Sequence, residues 1–213
     1  MTDADTPPGP QPASTPDPAK ASSGEAGSTK PRVRLVEMTE PVLAALAEGD
    51  AKAAGALVGT ELGEHFASEE MRWLSRYRLG QIQAVPSRAG WLANVVVDAD
   101  GGWAVGHAGF HGPPDERRTV EIGYSVAPEL RRRGYARATL IELLRRADDS
   151  PEVATVRASI RPDNAASLAT IAGFGFEWVG EQWDEIDGLE HIHERPSPWL
   201  GTDPGHPRPD CER

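Results

Sequence analysis

The chain has 213 residues, of which 26% are charged, 38% hydrophobic and 6% aromatic, and its formal net charge is −11. Its longest apolar runs, such as Trp91–Val97 interrupted by Asn94, fall far short of the ~20 residues that a membrane span requires, so no membrane partner is expected. Cys211 is the single cysteine, which excludes a disulfide scaffold, and the Pro-, Ser-, Asp- and Ala-rich start has no apolar signal region; a cytoplasmic protein is expected.

Of the 19 prolines, 12 lie outside residues 32–195. Segments 1–31 and 196–213 lack the apolar surface that would offset chain ordering, at roughly 1–2 kcal/mol per residue, and read as disordered tails. Residues 32–195 suit one domain with a buried core. The tails carry −2 and −1, which leaves −8 on that domain. An acidic domain disfavours nucleic acid, whose binding draws on phosphate neutralisation, and favours encounter with cations, amines included.

In chain order, Val33–Val36 is a short β-type run. Thr39 caps a helix with Pro41 in its first turn and Val42, Leu43 and Leu46 on one face. A second helix covers Ala51–Val58. Ser68, followed by Glu69 and Glu70, starts a third, whose apolar stripe is expected at Trp73, Leu74, Tyr77 and Ile82. Beyond Pro86 the period changes: Trp91–Val97 and Trp103–Phe110 flank a glycine turn and read as a hairpin, with Thr119–Val126 as the next strand. Helical period returns from Tyr135, with Ala136, Leu140, Leu143, Leu144 and Ala147 on one face. Val153–Ile160 is a strand, Asp163 or Asn164 caps a short helix, and Phe176–Val179 and Leu189–Glu194 are the last strands. The order predicts a mixed α/β domain. Phe174, Trp178 and Trp183 are expected in its core.

The chemistry concentrates in Thr119–Ala138. A strand ends at Val126, Ala127-Pro128 turns the chain, and Arg131-Arg132-Arg133-Gly134-Tyr135-Ala136 opens a helix. The first turn of a helix has N–H groups without partners, which with the dipole form an anion site. Gly134 allows close backbone approach to a phosphate, Ala136 keeps the next turn low, and the arginines add cationic donors. Three arginines after a strand also suit a plain solvated turn. A second helix start, Arg161-Pro162-Asp163-Asn164-Ala165-Ala166-Ser167, follows Val153–Ile160 directly. If the two strands are parallel neighbours, both helix starts share one edge of the sheet, where ligands gather. Alternation places Glu121, Gly123 and Ser125 on one strand face, with Val120, Ile122, Tyr124 and Val126 on the other. Glu121 suits either a general base or a structural ion pair with Arg117, Arg118 or another strand. His107, His111, His191 and His193 have no accompanying ligand set with metal spacing, so no metal is expected; they are candidates for lining a cleft.

The stretches IGYSVAPELRRRGYARATL and RPDNAASLATIAGFGF resemble the GNAT superfamily of N-acetyltransferases, over residues 32–195. IGY, NAAS, GFGF and DGLEHIHER resemble its RimJ/RimL-type branch of ribosomal-protein alanine acetyltransferases. The resemblance implies a mostly antiparallel central sheet with helices on both faces, splayed at the cofactor site. It implies acetyl-CoA as co-substrate, with its diphosphate on the N–H groups of Arg131, Arg132, Arg133, Gly134, Tyr135 and Ala136. The pantetheine arm would pair near Ser125 and Val126, with Asn164 and Ser167 close to it and Tyr135 packing within the loop. Transfer would run directly to a primary amine, a protein N-terminus or a small-molecule amine, with Glu121 as base and an oxyanion donor N–H near Val126, in a monomer or homodimer. Many members have a tyrosine seven residues after this asparagine as acid toward the thiolate; here that position is Ile171. Ser167, Tyr124 or water are then the candidate acids. The missing tyrosine also admits a non-catalytic acyl-CoA-binding or sensing module. A nucleic-acid binder using Arg131–Arg133, Arg145 and Arg146 conflicts with the domain charge of −8.

Overall fold

A computed structural model describes residues 30–199. Most of the two expected tails, and Cys211, lie outside the described residues. Seven strands form one sheet in the order β1-β2-β3-β4-β5-β7-β6. They are β1 (Val33–Glu37), β2 (Asn94–Asp98), β3 (Ala104–Phe110), β4 (Thr119–Val126), β5 (Thr155–Ile160), β6 (Glu177–Asp184) and β7 (Gly188–Pro196). Only β4 and β5 run parallel; every other neighbouring pair is antiparallel.

Helices cover both faces. On one lie α1 (Glu40–Ala47), α2 (Ala51–Val58) and α3 (Glu69–Ala84), with a helical turn α4 (Ala89–Leu92) leading into β2; on the other lie α5 (Tyr135–Asp148) and α6 (Ala165–Ile171). The sequence of β2 shows why the sheet needs two covers. Val95 and Val97 pack beneath Val42, Leu43, Leu46 and Met71, whereas Val96 joins Leu140, Leu143 and Leu144 on the opposite side. A strand covered on both faces is apolar through its middle, here Val95–Val97 between buried Asn94 and Asp98, and burial of each such valine contributes about 1.5–3 kcal/mol. Of the expected stripe of α5, Leu140, Leu143, Leu144 and Ala147 are buried, while Ala136 is half-buried at the start of the helix.

Caps set the helix starts. Asp50 Oδ1 accepts from the Ala53 N–H at 2.8 Å, and Ser68 Oγ accepts from the Met71 N–H at 3.2 Å. Thr39 sits at the N-cap of α1 without a side-chain bond, and Pro41 fixes the first turn instead.

Three expectations are corrected. Trp91 and Leu92 belong to the turn of α4, so the strand starts at Asn94. The buried side of α3 is Met71, Ser75 and Ile82, while Trp73 and Tyr77 are 49% and 50% exposed and stack on each other at 5.5 Å. Phe174 is core, but Trp178 and Trp183 are 60% and 77% exposed. They stand on β6, the edge strand, which is longer than its apolar run indicates. At the other end of the hairpin, β7 continues to Pro196, and buried Ser197 donates its N–H to Ala154 O at 2.9 Å.

Candidate active site

The parting of β4 from β5 creates the site. The two strands pair in parallel only at Thr119↔Thr155, Val120↔Val156 and Glu121↔Arg157. Beyond Glu121 the strand β4 stays with β3 alone, and the gap toward β5 opens. The β3 register assigns its peptide groups. His111 N–H bonds Glu121 O at 2.8 Å and Ala127 N–H bonds Val105 O at 2.9 Å, so the odd-numbered residues of β4 serve β3. Antiparallel pairing alternates, and Ile122, Tyr124 and Val126 therefore turn their N–H and C=O groups to the gap. Ser125 pairs with His107, so an extended ligand amide in the gap meets Tyr124 and Val126 rather than Ser125.

Beyond Val126 the chain passes a 3-10 turn at Pro128–Leu130 and reaches the loop ahead of α5. Arg132 and Gly134 both have positive φ, 61° and 87°. Such alternation of backbone hand bends successive N–H groups toward one concave point, a nest for an anion. The N–H groups of Gly134, Tyr135 and Ala136 have no acceptor among the described residues, and Gly134 forms the N-cap with no side-chain bond. Arg131 folds back, its Nε donating to Val126 O at 3.1 Å. Tyr135 is packed beneath the loop, its hydroxyl donating to Asp98 Oδ2 at 2.9 Å; burial first, then Asp98, push its pKa up to about 12.

These residues line a groove of about 1010 Å³, whose wall includes Ser125, Val126, Arg131, Arg132, Gly134, Tyr135, Ala136, Asn164 and Ser167. Nine of the ten predicted cofactor residues are thus brought together; Arg133 is exposed and outside the wall. Both helix starts reach this edge of the sheet, as expected from the parallel pair. Asn164 caps α6, its Oδ1 accepting from the Ser167 N–H at 3.1 Å. Of the other arginines considered for a basic surface, Arg145 is held by Glu142 and Asp149, and Arg146 by Gly90 O and Asn94.

A second cavity of about 510 Å³ adjoins the groove on the far side of the gap. Glu121, Asp184, Asp187 and Glu190 line it, with His111 and Gln182. Tyr124, Arg161, Asn164 and Ser167 belong to the walls of both spaces, so the two communicate at these four residues. Glu121 does not pair with Arg117 or Arg118. Its Oε1 lies 3.6 Å from His111 Nδ1, and Arg118 serves the carbonyls of Pro151 and Glu152. Gly123 makes this possible, since a Cβ there would stand 2.9 Å from His111 Nε2. Desolvation, only partly offset by Glu121, lowers the His111 pKa and keeps the ring neutral beside the carboxylate. Asp184 is kept ionised by the N–H groups of Asp187 and Ile186, which lower its pKa. The hairpin carboxylates escaped the sequence reading because Gln182–Asp184 reads as loop; Asp187-Gly188, a hairpin-turn dipeptide, was the available signal.

The remaining histidines lie elsewhere. His191 contacts Glu181 at 3.4 Å and Trp178, and neither it nor His193 lines the cavity. His107 stacks on His65, with Nδ1 3.3 Å from His65 Nε2. Burial, then His65 and Arg78, push the His107 pKa down to about 3. An unfolded histidine binds its proton near pH ~6.5, so stability contributed by neutral His107 is full above that value and is lost as pH falls toward 3. Urea unfolding at pH 7.5 and 5 should therefore differ by about 2 kcal/mol from this group alone. His107→Gln should flatten that part of the profile, and an identical pH dependence in the variant would remove His107 as the cause.

A strand-to-helix nest, a parted parallel pair and an adjoining acidic cavity together make up the candidate site. Residues 32–177 match the family model for the acetyltransferase (GNAT) domain, and the chain belongs to that family. It is 28% identical over 145 residues to the uncharacterized N-acetyltransferase YjdG of Bacillus subtilis (strain 168), covering 68% of this chain and 86% of that protein. Its fold is similar to Mycobacterium smegmatis RimJ in complex with CoA-disulfide (TM-score 0.57, 20% identity, 81% of this chain and 88% of the other). It is also similar to the microcin C7 self-immunity acetyltransferase MccE in complex with acetyl-CoA and AMP (TM-score 0.55, 16% identity, 78% and 92%). RimJ and RimL proteins are among many such neighbours, and the chain is placed in the family without assignment to a branch.

Proposed function

We propose that the protein is an acetyl-CoA-dependent N-acetyltransferase that transfers the acetyl group directly to a primary amine, on a protein N-terminus or a small molecule. The observation that supports this best is the meeting of two chemically opposite spaces at the strand gap. The groove has open amides at Gly134, Tyr135 and Ala136, with Arg131 and Arg132 beside them, which fits a diphosphate. The cavity beyond the gap has four carboxylates, which fits an amine that arrives as a cation.

In this reading the edge groups of Tyr124 and Val126 hold the pantetheine amides, as a strand would. The Val126 N–H faces the gap and stabilises negative charge on the thioester oxygen as the amine attacks. Glu121 takes the ammonium proton, directly or through water, so that the nitrogen lone pair is free. Neutral His111 beside it leaves the carboxylate able to accept.

A screen of amines and N-terminal peptides with acetyl-CoA, reading thiol release, tests the function. Calorimetric binding of acetyl-CoA with no turnover on any amine would favour a sensing module. Glu121→Gln should lower kcat about a hundredfold with little change in acetyl-CoA affinity. An unchanged rate removes Glu121 from the chemistry.

A further inference from the structure

The family's tyrosine acid is replaced here by Ile171, an apolar residue that is buried. Resting on the acetyltransferase reading, we propose that Tyr124 supplies the proton for the departing thiolate, acting through the hydroxyl of Ser167. Tyr124 and Ser167 both line the junction of groove and cavity, where the acyl group must pass from sulfur to nitrogen. The Tyr124 hydroxyl is buried and has no hydrogen-bond partner among the described residues. A buried hydroxyl left unpaired costs free energy, and it is relieved when a neighbouring group turns to meet it. Burial raises the pKa of the phenol, and Thr170, then Ser167, are the neighbours close enough to oppose that shift. Thr170 already donates its own proton to Ala166 O at 2.8 Å, so it can accept from Tyr124 but has no proton to pass on toward sulfur. Ser167, which lines both spaces, can accept from Tyr124 and still donate.

The chemistry selects the same pair. Of the four junction residues, Arg161 does not release its proton, and Asn164 is occupied as the cap of α6. A serine hydroxyl alone is too weak an acid to protonate a thiolate unless a stronger acid restores its proton. A phenol, with an ordinary pKa of about 10, stands nearest to a thiol at about 8.5. As the C–N bond forms and the C–S bond breaks, the electron pair leaves on sulfur. Ser167 gives sulfur its proton and takes one from Tyr124, leaving a phenolate. The ammonium loses two protons: the first passes through Glu121 to solvent before attack, and the second, shed as the amide forms, returns through solvent to the Tyr124 phenolate, so one proton is released per turnover and the thiol leaves neutral. Tyr124 thus positions and recharges the donor without touching the substrate.

Single-turnover acetyl transfer to the best amine from the screen tests this in Tyr124→Phe, Ser167→Ala and the double variant. Each single change should slow transfer about a hundredfold while KM for acetyl-CoA stays within about twofold. The double variant should be no slower than either single one, because both remove the same relay. Independent losses that multiply in the double variant would overturn the relay, as would a parental rate in Tyr124→Phe that still binds acetyl-CoA. If Tyr124→Phe does not fold, a parental rate in Ser167→Ala alone overturns it. An active parent with unaffected variants refutes the relay and leaves the acetyltransferase reading standing; a parent inactive on every amine refutes both.

Discussion

Gly134→Glu should weaken acetyl-CoA binding by roughly a thousandfold, about 4 kcal/mol, as measured by calorimetry. Three effects act together. Gly134 has φ 87°, a conformation that costs an L side chain roughly 1–2 kcal/mol. A Cβ there would stand 3.2 Å from Pro31 Cδ, so the segment entering β1 must yield. The new carboxylate would then lie in the nest formed by the Gly134, Tyr135 and Ala136 amides, taking the place of the phosphate and repelling it. Gly134→Ala separates these effects, because it has the strain and the contact but no charge; its loss should be far smaller. Full affinity in the glutamate variant would mean that the diphosphate is bound elsewhere.

The same loop shows what a sequence makes legible. β4, its Pro-marked turn and α5 were readable because alternation, proline, glycine and a helical stripe all fall within one continuous stretch. The parallel pairing of β4 with β5 entered only as a condition for placing both helix starts on one edge, and it is met. Other features depend on distant chain. Trp73 and Tyr77 have the spacing of a buried stripe, yet the α1 side chains Val42, Leu43 and Leu46 meet the Met71 side of α3 instead. Trp178 and Trp183 look like core residues by type, but β6 is the sheet edge. The acidic wall at Asp184, Asp187 and Glu190 exists only because a hairpin far along the chain from Glu121 folds back across the gap, and no local pattern encodes that.

Asp148→Ala should destabilise the fold by about 3–5 kcal/mol. Asp148 ends α5, where a carboxylate opposes the helix dipole, so its presence there calls for a partner. Its partner is Arg195 at the end of β7, whose side chain is 0% exposed and whose Nη2 lies 2.7 Å from Asp148 Oδ2. The guanidinium also donates to Phe174 O and Pro196 O at 3.3 Å, and the Ser197 hydroxyl donates to Asp148 Oδ1 at 2.6 Å. Removal of Asp148 leaves a buried cation without this carboxylate and a buried hydroxyl without its acceptor. At roughly 2–4 °C per kcal/mol for a domain of this size, Tm should fall by about 10 °C. Replacing both partners, Asp148→Leu with Arg195→Met, should recover most of the loss, since two apolar residues of similar size bury no charge that needs a carboxylate. Acetyl-CoA affinity of the folded Asp148→Ala protein should be unchanged, because Asp148 lies at the opposite end of α5 from the Gly134 nest. A stability loss below about 1 kcal/mol would show that the pair does not tie β7 to α5.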